Sequence, residues 1–195
     1  MSLDEFKKNL YLRLKHPHVV NSTGYEPVWF LVYDPKRTVE IAAFRQSFIK
    51  YLEIQGLSPM EFNVANALWD ILESDVDWPD IQEADEDSLD QQELLDTLKA
   101  VIEPSPDCNR LVERLKETLK QAGQMEKSVL LVSGFESLHG LMRPGSIEGK
   151  LNGCFACPTL FFYPGKTEGA AGLQFLNIHP VDSNYHSEHL MVPEA

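Results

Sequence analysis

The sequence predicts an α/β protein with a mostly parallel central sheet. Two short apolar runs, Ser128–Val132 and Pro158–Tyr163, are rich in Val, Leu and Phe and are too short for typical helices. Each run ends at a glycine, Gly134 and Gly165, as is typical of strands that are buried on both faces. A third run, Val28–Tyr33, precedes a helical pattern, and this alternation of strands and helices favours a parallel sheet.

Hydrophobic spacing predicts the elements of the N-terminal half in order. Apolar residues three and four positions apart indicate amphipathic helices, and uninterrupted apolar runs indicate buried strands. Pro17 and Gly56 mark helix ends, and Thr38 is a candidate helix N-cap. The predicted elements are a helix at Leu3–Leu14, the strand Val28–Tyr33, a helix at Val39–Leu57, a short strand at Met60–Val64 and a helix at Ala65–Leu72.

An acidic segment, Glu73–Asp96, contains neither Lys nor Arg. Such a run is typical of a solvated loop and helix face. A docking surface for a basic partner is the sharper alternative. Calcium is disfavoured because the spacing lacks the glycine turn and the terminal Glu of an EF-hand loop.

Two helices, Asp90–Ile102 and Asn109–Gln121, are predicted after the acidic segment. Pro104 and Pro106 end the first helix, and Asp107 is a candidate cap for the second. The short connection indicates a helical pair inserted before the central strand that begins at residue 128.

Two further strands are predicted near the C-terminal end of the sequence, at Leu173–Ile178 and His189–Val192. At 195 residues the chain is long enough to bury one substantial core. We therefore expect residues 1–195 to form one α/β domain, with the acidic loop and the helical insertion at about residues 73–122.

Composition excludes several classes of protein. The formal net charge of −13 argues against a DNA-coating surface, because phosphate contacts need clustered Lys and Arg, so direct binding to nucleic acid is not expected. No run approaches the apolar length of a membrane span. The polar, acidic N-terminus does not resemble a signal peptide, and three cysteines do not form a secreted disulfide framework. Together these features predict a cytoplasmic location.

The sequence does not contain a phosphate-binding loop of the Walker A type. The loop after the first strand, Asp34-Pro35-Lys36-Arg37-Thr38, has no glycine to form a cradle of backbone N–H groups. Gly165-Lys166-Thr167 resembles the end of such a loop, but Leu160 occupies the position of the required glycine. No cofactor is therefore predicted.

The candidate metal and redox motifs are incomplete. Cys154-Phe155-Ala156-Cys157 precedes a strand, whereas redox-active pairs of this spacing follow a strand and open a helix. Zinc would need two more ligands, which His186 and His189 could supply, and His16-Pro17-His18 is a second weak cluster. Buried cysteines and solvated histidines are the default interpretation, and no metal site is predicted.

A nucleophilic mechanism is also poorly supported. Ser133, Glu136 and His139 are close in sequence, but Leu131 occupies the position of the first glycine in a G-x-S-x-G elbow. Capping of the following segment by Ser133 and Ser137 explains these residues more simply. No catalytic residue is predicted.

Polar residues at the ends of buried parallel strands are the best candidates for a binding site, because α/β proteins place their sites at this edge. The alternatives at this point are a surface for a protein partner and a nucleotide- or nucleic-acid-sensing site that uses Arg143, Lys150 and Lys166. The candidate site residues are Ser133, Gly134, Glu136, Arg143, Pro164 and Gly165.

The motifs resemble, in order, those of the BrxB family of BREX phage-defence systems. The first part is an apolar strand, a small residue with Gly134, and then Glu136 and Arg143. The second is Leu160-Phe161-Phe162-Tyr163-Pro164-Gly165, followed by the downstream strand Leu173-Gln174-Phe175. Further matching features are Val28–Tyr33 with Asp34-Pro35, the long helix that ends near Gly56, and Asn184-Tyr185, which makes Tyr185 a further candidate.

The resemblance implies a three-layer α/β fold with a P-loop-like topology that lacks the phosphate-binding loop. It also implies a non-enzymatic subunit that acts with other BREX components, notably the alkaline-phosphatase-like PglZ protein, and self-association is possible. The family's Asn-Tyr element usually continues with another aromatic residue and Arg, whereas His186 and Ser187 follow here.

Overall fold

The chain is a three-layer α/β sandwich, as predicted, in a computed structural model that describes residues 2–17, 26–75, 91–169, 172–183 and 187–193. A mostly parallel sheet of seven strands lies between two layers of helices. The strands are β1 (Val28–Tyr33), β2 (Ser58–Asn63), β3 (Ser128–Ser133), β4 (Thr159–Glu168), β5 (Gly172–Phe175), β6 (Val181–Asp182) and β7 (Glu188–Met191).

The described helices connect these strands. Two short 3₁₀ turns, Pro35–Arg37 and Phe135–Leu138, follow β1 and β3. None of the described helices is long and apolar enough to cross a membrane. The helices are α1 (Leu3–Lys15), α2 (Thr38–Ile54), α3 (Val64–Asp75), α4 (Gln91–Ile102), α5 (Arg110–Gly123) and α6 (Pro144–Leu151).

The order of the strands places the first strand of the chain inside the sheet. Five strands run parallel in the order β2-β3-β4-β1-β7, and β5 and β6 add an antiparallel extension to β4. Phe30 pairs with Phe161 across β1 and β4, and Leu131 pairs with Leu160 across β3 and β4. This register brings the carboxyl ends of β1, β2, β3 and β7 to one edge.

Alternate side chains of the central strands fill two separate cores, because successive residues of a strand point to opposite faces. Phe30 and Val32 pack with α3, α4, α5 and α6 on one face. Trp29, Leu31 and Tyr33 pack with α1 and α2 on the other. Burial on both faces explains why β1 is an uninterrupted apolar run.

The second central strand is longer than the sequence predicts. The expectation that it ends at Gly165 is wrong, because β4 continues through Pro164 and Gly165 to Glu168 and pairs with β5. A proline fits here because alternate residues of β4 face alternate neighbours. The bond from the Leu130 N–H to the Pro158 carbonyl places Pro158, and by alternation Pro164, on the β3 side. The pairing with β3 ends at Phe161, and beyond it Pro164 serves only as an acceptor on this side, through the bond from the Leu176 N–H to its carbonyl.

Two predicted helix caps are also corrected. Thr38 is the first residue of α2 rather than its cap, and its hydroxyl donates to the Pro35 carbonyl. The cap of α5 is Asn109 rather than Asp107, because the Asn109 side chain is buried and accepts the Val112 N–H at 3.0 Å. Short segments such as β2 differ from the prediction by one or two residues.

Replacing Asn109 with alanine should lower the free energy of unfolding by about 1–2 kcal/mol, because the buried Val112 N–H loses its acceptor. Ser2→Ala is the matched control, since Ser2 caps α1 through the Glu5 N–H at an exposed position. Urea denaturation measures both. Equal losses in the two variants would contradict the assignment of Asn109 as a buried cap.

Candidate functional site at the carboxyl edge of the sheet

The parallel strands bring several candidate residues to one edge. Ser133 ends β3 and is paired with Asn63, the last residue of β2. Ser133 is buried, whereas Glu136 in the following 3₁₀ turn is exposed. This edge is where α/β proteins place ligands.

Gly134 is required by the turn that follows β3. Its φ of +84° lies in the left-handed region that side chains disfavour. A Cβ atom would also lie 3.0 Å from Asn63 Oδ1 and 3.1 Å from the Ala65 nitrogen. Because Asn63 Oδ1 accepts the Asn66 N–H at the start of α3, Gly134 lets β3 and the β2–α3 junction pack closely.

The loop after β1 is a turn whose polar groups bond to one another. The Lys36 N–H donates to Asp34 Oδ1 at 2.9 Å, and the Thr38 hydroxyl donates to the Pro35 carbonyl at 2.7 Å. The Arg37 guanidinium grips both carboxylate oxygens of Glu40 and donates to the Pro193 carbonyl. The groups that follow β1 therefore hold the turn and β7 together.

Glu136 lies beside the end of β1. Burial of Tyr33 raises the pKa of its phenol above the usual range, and the negative charge of Glu136 raises it further. A hydrogen bond with Thr38 and the charge of Arg45 oppose this shift. Tyr33 therefore stays a neutral phenol, and its hydrogen bond with Thr38 links the end of β1 to the start of α2.

A second group of polar residues lies on the other side of the same edge. His139 Nδ1 and His179 Nε2 are 2.8 Å apart and share a hydrogen bond. Arg143 is exposed and lines a small pocket with His179, Tyr163 and Phe175. Partial burial lowers the pKa of His179, and the positive charges of His139 and Arg143 lower it further.

The structure thus divides the candidate residues into two groups. One group, near the ends of β3 and β1, contains Ser133, Gly134 and Glu136. The other contains Arg143, which lines a pocket with His179, and His139, which is hydrogen-bonded to His179. Among the described residues no ion pair joins Glu136 to Arg143. Pro164 and Gly165 are buried within β4, and Tyr185 lies outside the described residues.

The histidine pair was missed by the sequence interpretation. The local sequence indicates His139 only as a base for Ser133 and gives no role to His179. The two rings meet because β5 folds back on β4 and brings the turn after β5 toward the turn after β3. No local spacing could have indicated this contact, since the residues are 40 positions apart.

The other candidate motifs do not form a site in the described part of the chain. Burial raises the pKa of the Cys157 thiol, and Cys154 is partly buried. No group of three or more His, Cys, Asp or Glu among the described residues could hold a metal ion. His18 and His186 lie outside the described residues.

The stability of the fold should rise with pH through the weakly acidic range. The pKa values of His179 and His189 are lowered, so below about pH 6.5 the unfolded chain holds protons that the folded chain does not. This stability is complete above about pH 6.5 and is lost as the pH falls toward the folded pKa values.

Denaturation at about pH 5.5 and about pH 7.5 tests this dependence. His179→Asn should reduce the difference between the two unfolding free energies, whereas His16→Asn, at an exposed position, should leave it unchanged. An unchanged difference in His179→Asn would contradict the prediction.

The fold and this edge define a class of protein: a three-layer α/β sandwich with a mostly parallel sheet, in which a turn whose polar groups bond to one another follows the first strand. The family model for the BREX protein BrxB matches residues 60–190, about two thirds of the chain. The chain belongs to the BrxB family. The match includes Ser133, Gly134 and Glu136, and it also includes Arg143 and the two histidines. The loop after β1 lies outside it. No curated protein matches the chain.

Membership in the family makes the chain a component of a BREX phage-defence system, and other BREX components are plausible partners. The first strand and the helix after it, which also resemble the family's motifs, precede the matched part.

Proposed function

We propose that the chain is a non-enzymatic interaction subunit of its BREX complex and that its direct partner is a PglZ-like protein. At the carboxyl edge, polar side chains bond to other groups of the same chain, and this observation carries the proposal. Arg37 binds Glu40 and the Pro193 carbonyl, and Thr38 binds the Pro35 carbonyl. Such contacts stabilise a surface rather than present a nucleophile with an adjacent base.

The same edge presents apolar side chains to solvent. Val39, in the first turn of α2, is 84% exposed, and Ile178, after β5, is 67% exposed. Val181, at the start of β6, and Met191, at the end of β7, are about half exposed. Contiguous apolar patches rimmed by polar residues are typical of protein interfaces, and a docking surface at this edge would use these four side chains.

Charge supports a partner with a basic surface. The net charge of −13 would steer a basic surface toward the chain and repel other acidic proteins. The acidic segment Glu73–Asp96, most of which lies outside the described residues, could extend this attraction.

Co-purification with the products of neighbouring BREX genes tests the proposal. A tagged full-length chain should retain a PglZ-like protein, and Ile178→Asp or Val39→Asp should reduce that recovery about tenfold. Ile54→Asp is the matched control, because Ile54 is 80% exposed at the opposite end of α2 from Val39.

Recovery of no BREX component by the wild-type chain would contradict the interaction role. Equal loss in Ile54→Asp would contradict docking at the carboxyl edge. The molecular mass of the purified chain in solution would show separately whether it self-associates.

A further inference from the structure

We propose that a cavity at the amino edge of the sheet binds a small organic anion with an apolar body, of the class of an aromatic or aliphatic carboxylate. The cavity has a volume of about 570 Å³, within the roughly 300–1,000 Å³ range of small-molecule sites. Leu57, Lys127 and Pro158, the residues directly before β2, β3 and β4, line it. It therefore lies at the opposite edge of the sheet from the docking surface proposed above and is independent of that surface.

The walls of the cavity are the ends of three helices and the starts of three strands. Lys15 ends α1, Gly56 follows the end of α2 and Gly123 ends α5, and all three residues line the cavity. A Cβ atom on Gly123 would lie 2.5 Å from Ala156 Cβ, so the end of α5 packs closely on the segment before β4. The cavity is therefore a gap between elements from both faces of the sheet.

Hydrogen bonds hold these walls in place before any ligand arrives. The Ser58 N–H donates to the Lys127 carbonyl at 2.9 Å, and the Met125 N–H donates to the Ala122 carbonyl at 3.0 Å. The Ser128 hydroxyl donates to the same Ala122 carbonyl at 2.6 Å. Lys127 is held at a φ of +56°, a left-handed conformation that is disfavoured for side chains and that recurs at ligand sites. A preorganised cavity loses less entropy on binding.

Much of the lining is apolar and suits the body of an organic ligand. Leu14 is buried, Leu57 and Pro158 are partly buried, and Met125 is 46% exposed. A methionine side chain is flexible and adapts its shape to different apolar partners. Burial raises the pKa of the Cys157 thiol, which also lines the cavity, so this thiol is neutral and does not repel an anion.

Charge favours an anion over a cation. Lys15, His16 and Lys127 line the cavity, and none of its described lining residues is Asp or Glu, although the chain has 30 acidic and 17 basic residues. In the described part of the chain neither lysine forms an ion pair, and the Lys15 ammonium lies over the Tyr11 ring. The carboxyl ends of the three helices carry partial negative charge and oppose an anion. We therefore expect a dissociation constant of about 0.1 mM.

Calorimetric titration of the full chain with three probes tests the site at neutral pH and one fixed salt concentration. 2-Naphthoate supplies the apolar body and the charge, 2-naphthamide supplies only the body, and acetate supplies only the charge. 2-Naphthoate should saturate one site, whereas 2-naphthamide should bind about tenfold more weakly and acetate should not saturate it.

Substitutions in the lining test where the probe binds. Lys127→Gln should weaken 2-naphthoate binding about fivefold or more, whereas Lys127→Arg keeps the charge and should stay within about threefold of the wild type. Met125→Asp should weaken it more than Met125→Leu, which keeps most of the apolar volume. Lys36→Gln is the matched control, because it removes the same charge from an exposed position at the opposite edge of the sheet. Thermal unfolding checks that each variant is folded.

Saturable binding that needs both the apolar body and the charge of Lys127 supports the site. Binding of 2-naphthamide as tightly as 2-naphthoate would overturn the assignment to an anion. No saturation by about 2 mM 2-naphthoate would overturn the cavity as a binding site. So would equal weakening in Lys127→Gln and Lys36→Gln, because the probe would then bind elsewhere on the chain.

Discussion

Replacing Gly165 with alanine should lower the free energy of unfolding by about 3 kcal/mol. A Cβ atom at this position would lie 2.3 Å from the Gln174 carbonyl oxygen and 2.7 Å from Tyr163 Cε1. The carbonyl belongs to β5, which is paired with β4 at this point, and Tyr163 is fully buried. Neither group can move without breaking the antiparallel pairing or displacing the core.

Urea denaturation measures this loss, and Gly149→Ala is its control. Gly149 lies in α6, and a Cβ atom there would meet no atom within 4 Å. Alanine at Gly149 should therefore stabilise the chain by about 0.5–1 kcal/mol through better helix propensity. A Gly165→Ala variant within about 0.5 kcal/mol of the wild type would show that β4 and β5 do not approach this closely.

Replacing Phe161 with alanine should lower the free energy of unfolding by about 3–5 kcal/mol. Phe161 is 1% exposed in the part of β4 that lies between β1 and β3, and its ring stacks on Phe30 with centroids 4.8 Å apart. The rings of Phe135 and Phe155 also pack on it, at 5.6 and 6.1 Å. Alanine would leave a cavity between three aromatic rings that belong to separate elements.

Two further variants calibrate this measurement. Phe161→Leu keeps most of the buried volume and should cost clearly less than alanine, about 1–2 kcal/mol. Ile54→Ala removes an apolar side chain that is 80% exposed and should change stability by less than about 0.5 kcal/mol. A Phe161→Ala loss as small as that of Ile54→Ala would contradict the central position of Phe161.

Strands buried on both faces were the easiest elements to predict. The boundaries of β1 match the prediction, because a six-residue apolar run that stops at Asp34 is too short for a typical helix and is typical of a strand buried on both faces. The prediction for β4 was wrong at its end. Pro164 and Gly165 are usual terminators. Here Pro164 lies beyond the pairing with β3 and only accepts a bond, from the Leu176 N–H, and Gly165 admits the close approach of β5.

Local sequence also indicated Gly134, since a glycine directly after a buried strand is typical of a tight turn. The contacts of Glu136 and Arg143 were not predictable in the same way. Both were expected at one edge of the sheet, and they lie there in different groups, one beside Tyr33 and the other beside His179.

The sequence by itself determined the α/β class, the two-faced burial of the central strands and the resemblance to the BrxB family. These depend on the order and spacing of residues that are close along the chain. Only the tertiary structure decided that β4 continues into an antiparallel extension and that His139 meets His179. Such contacts depend on the pairing of distant strands, because a shared hydrogen bond between two turns forms only after the sheet has set their positions.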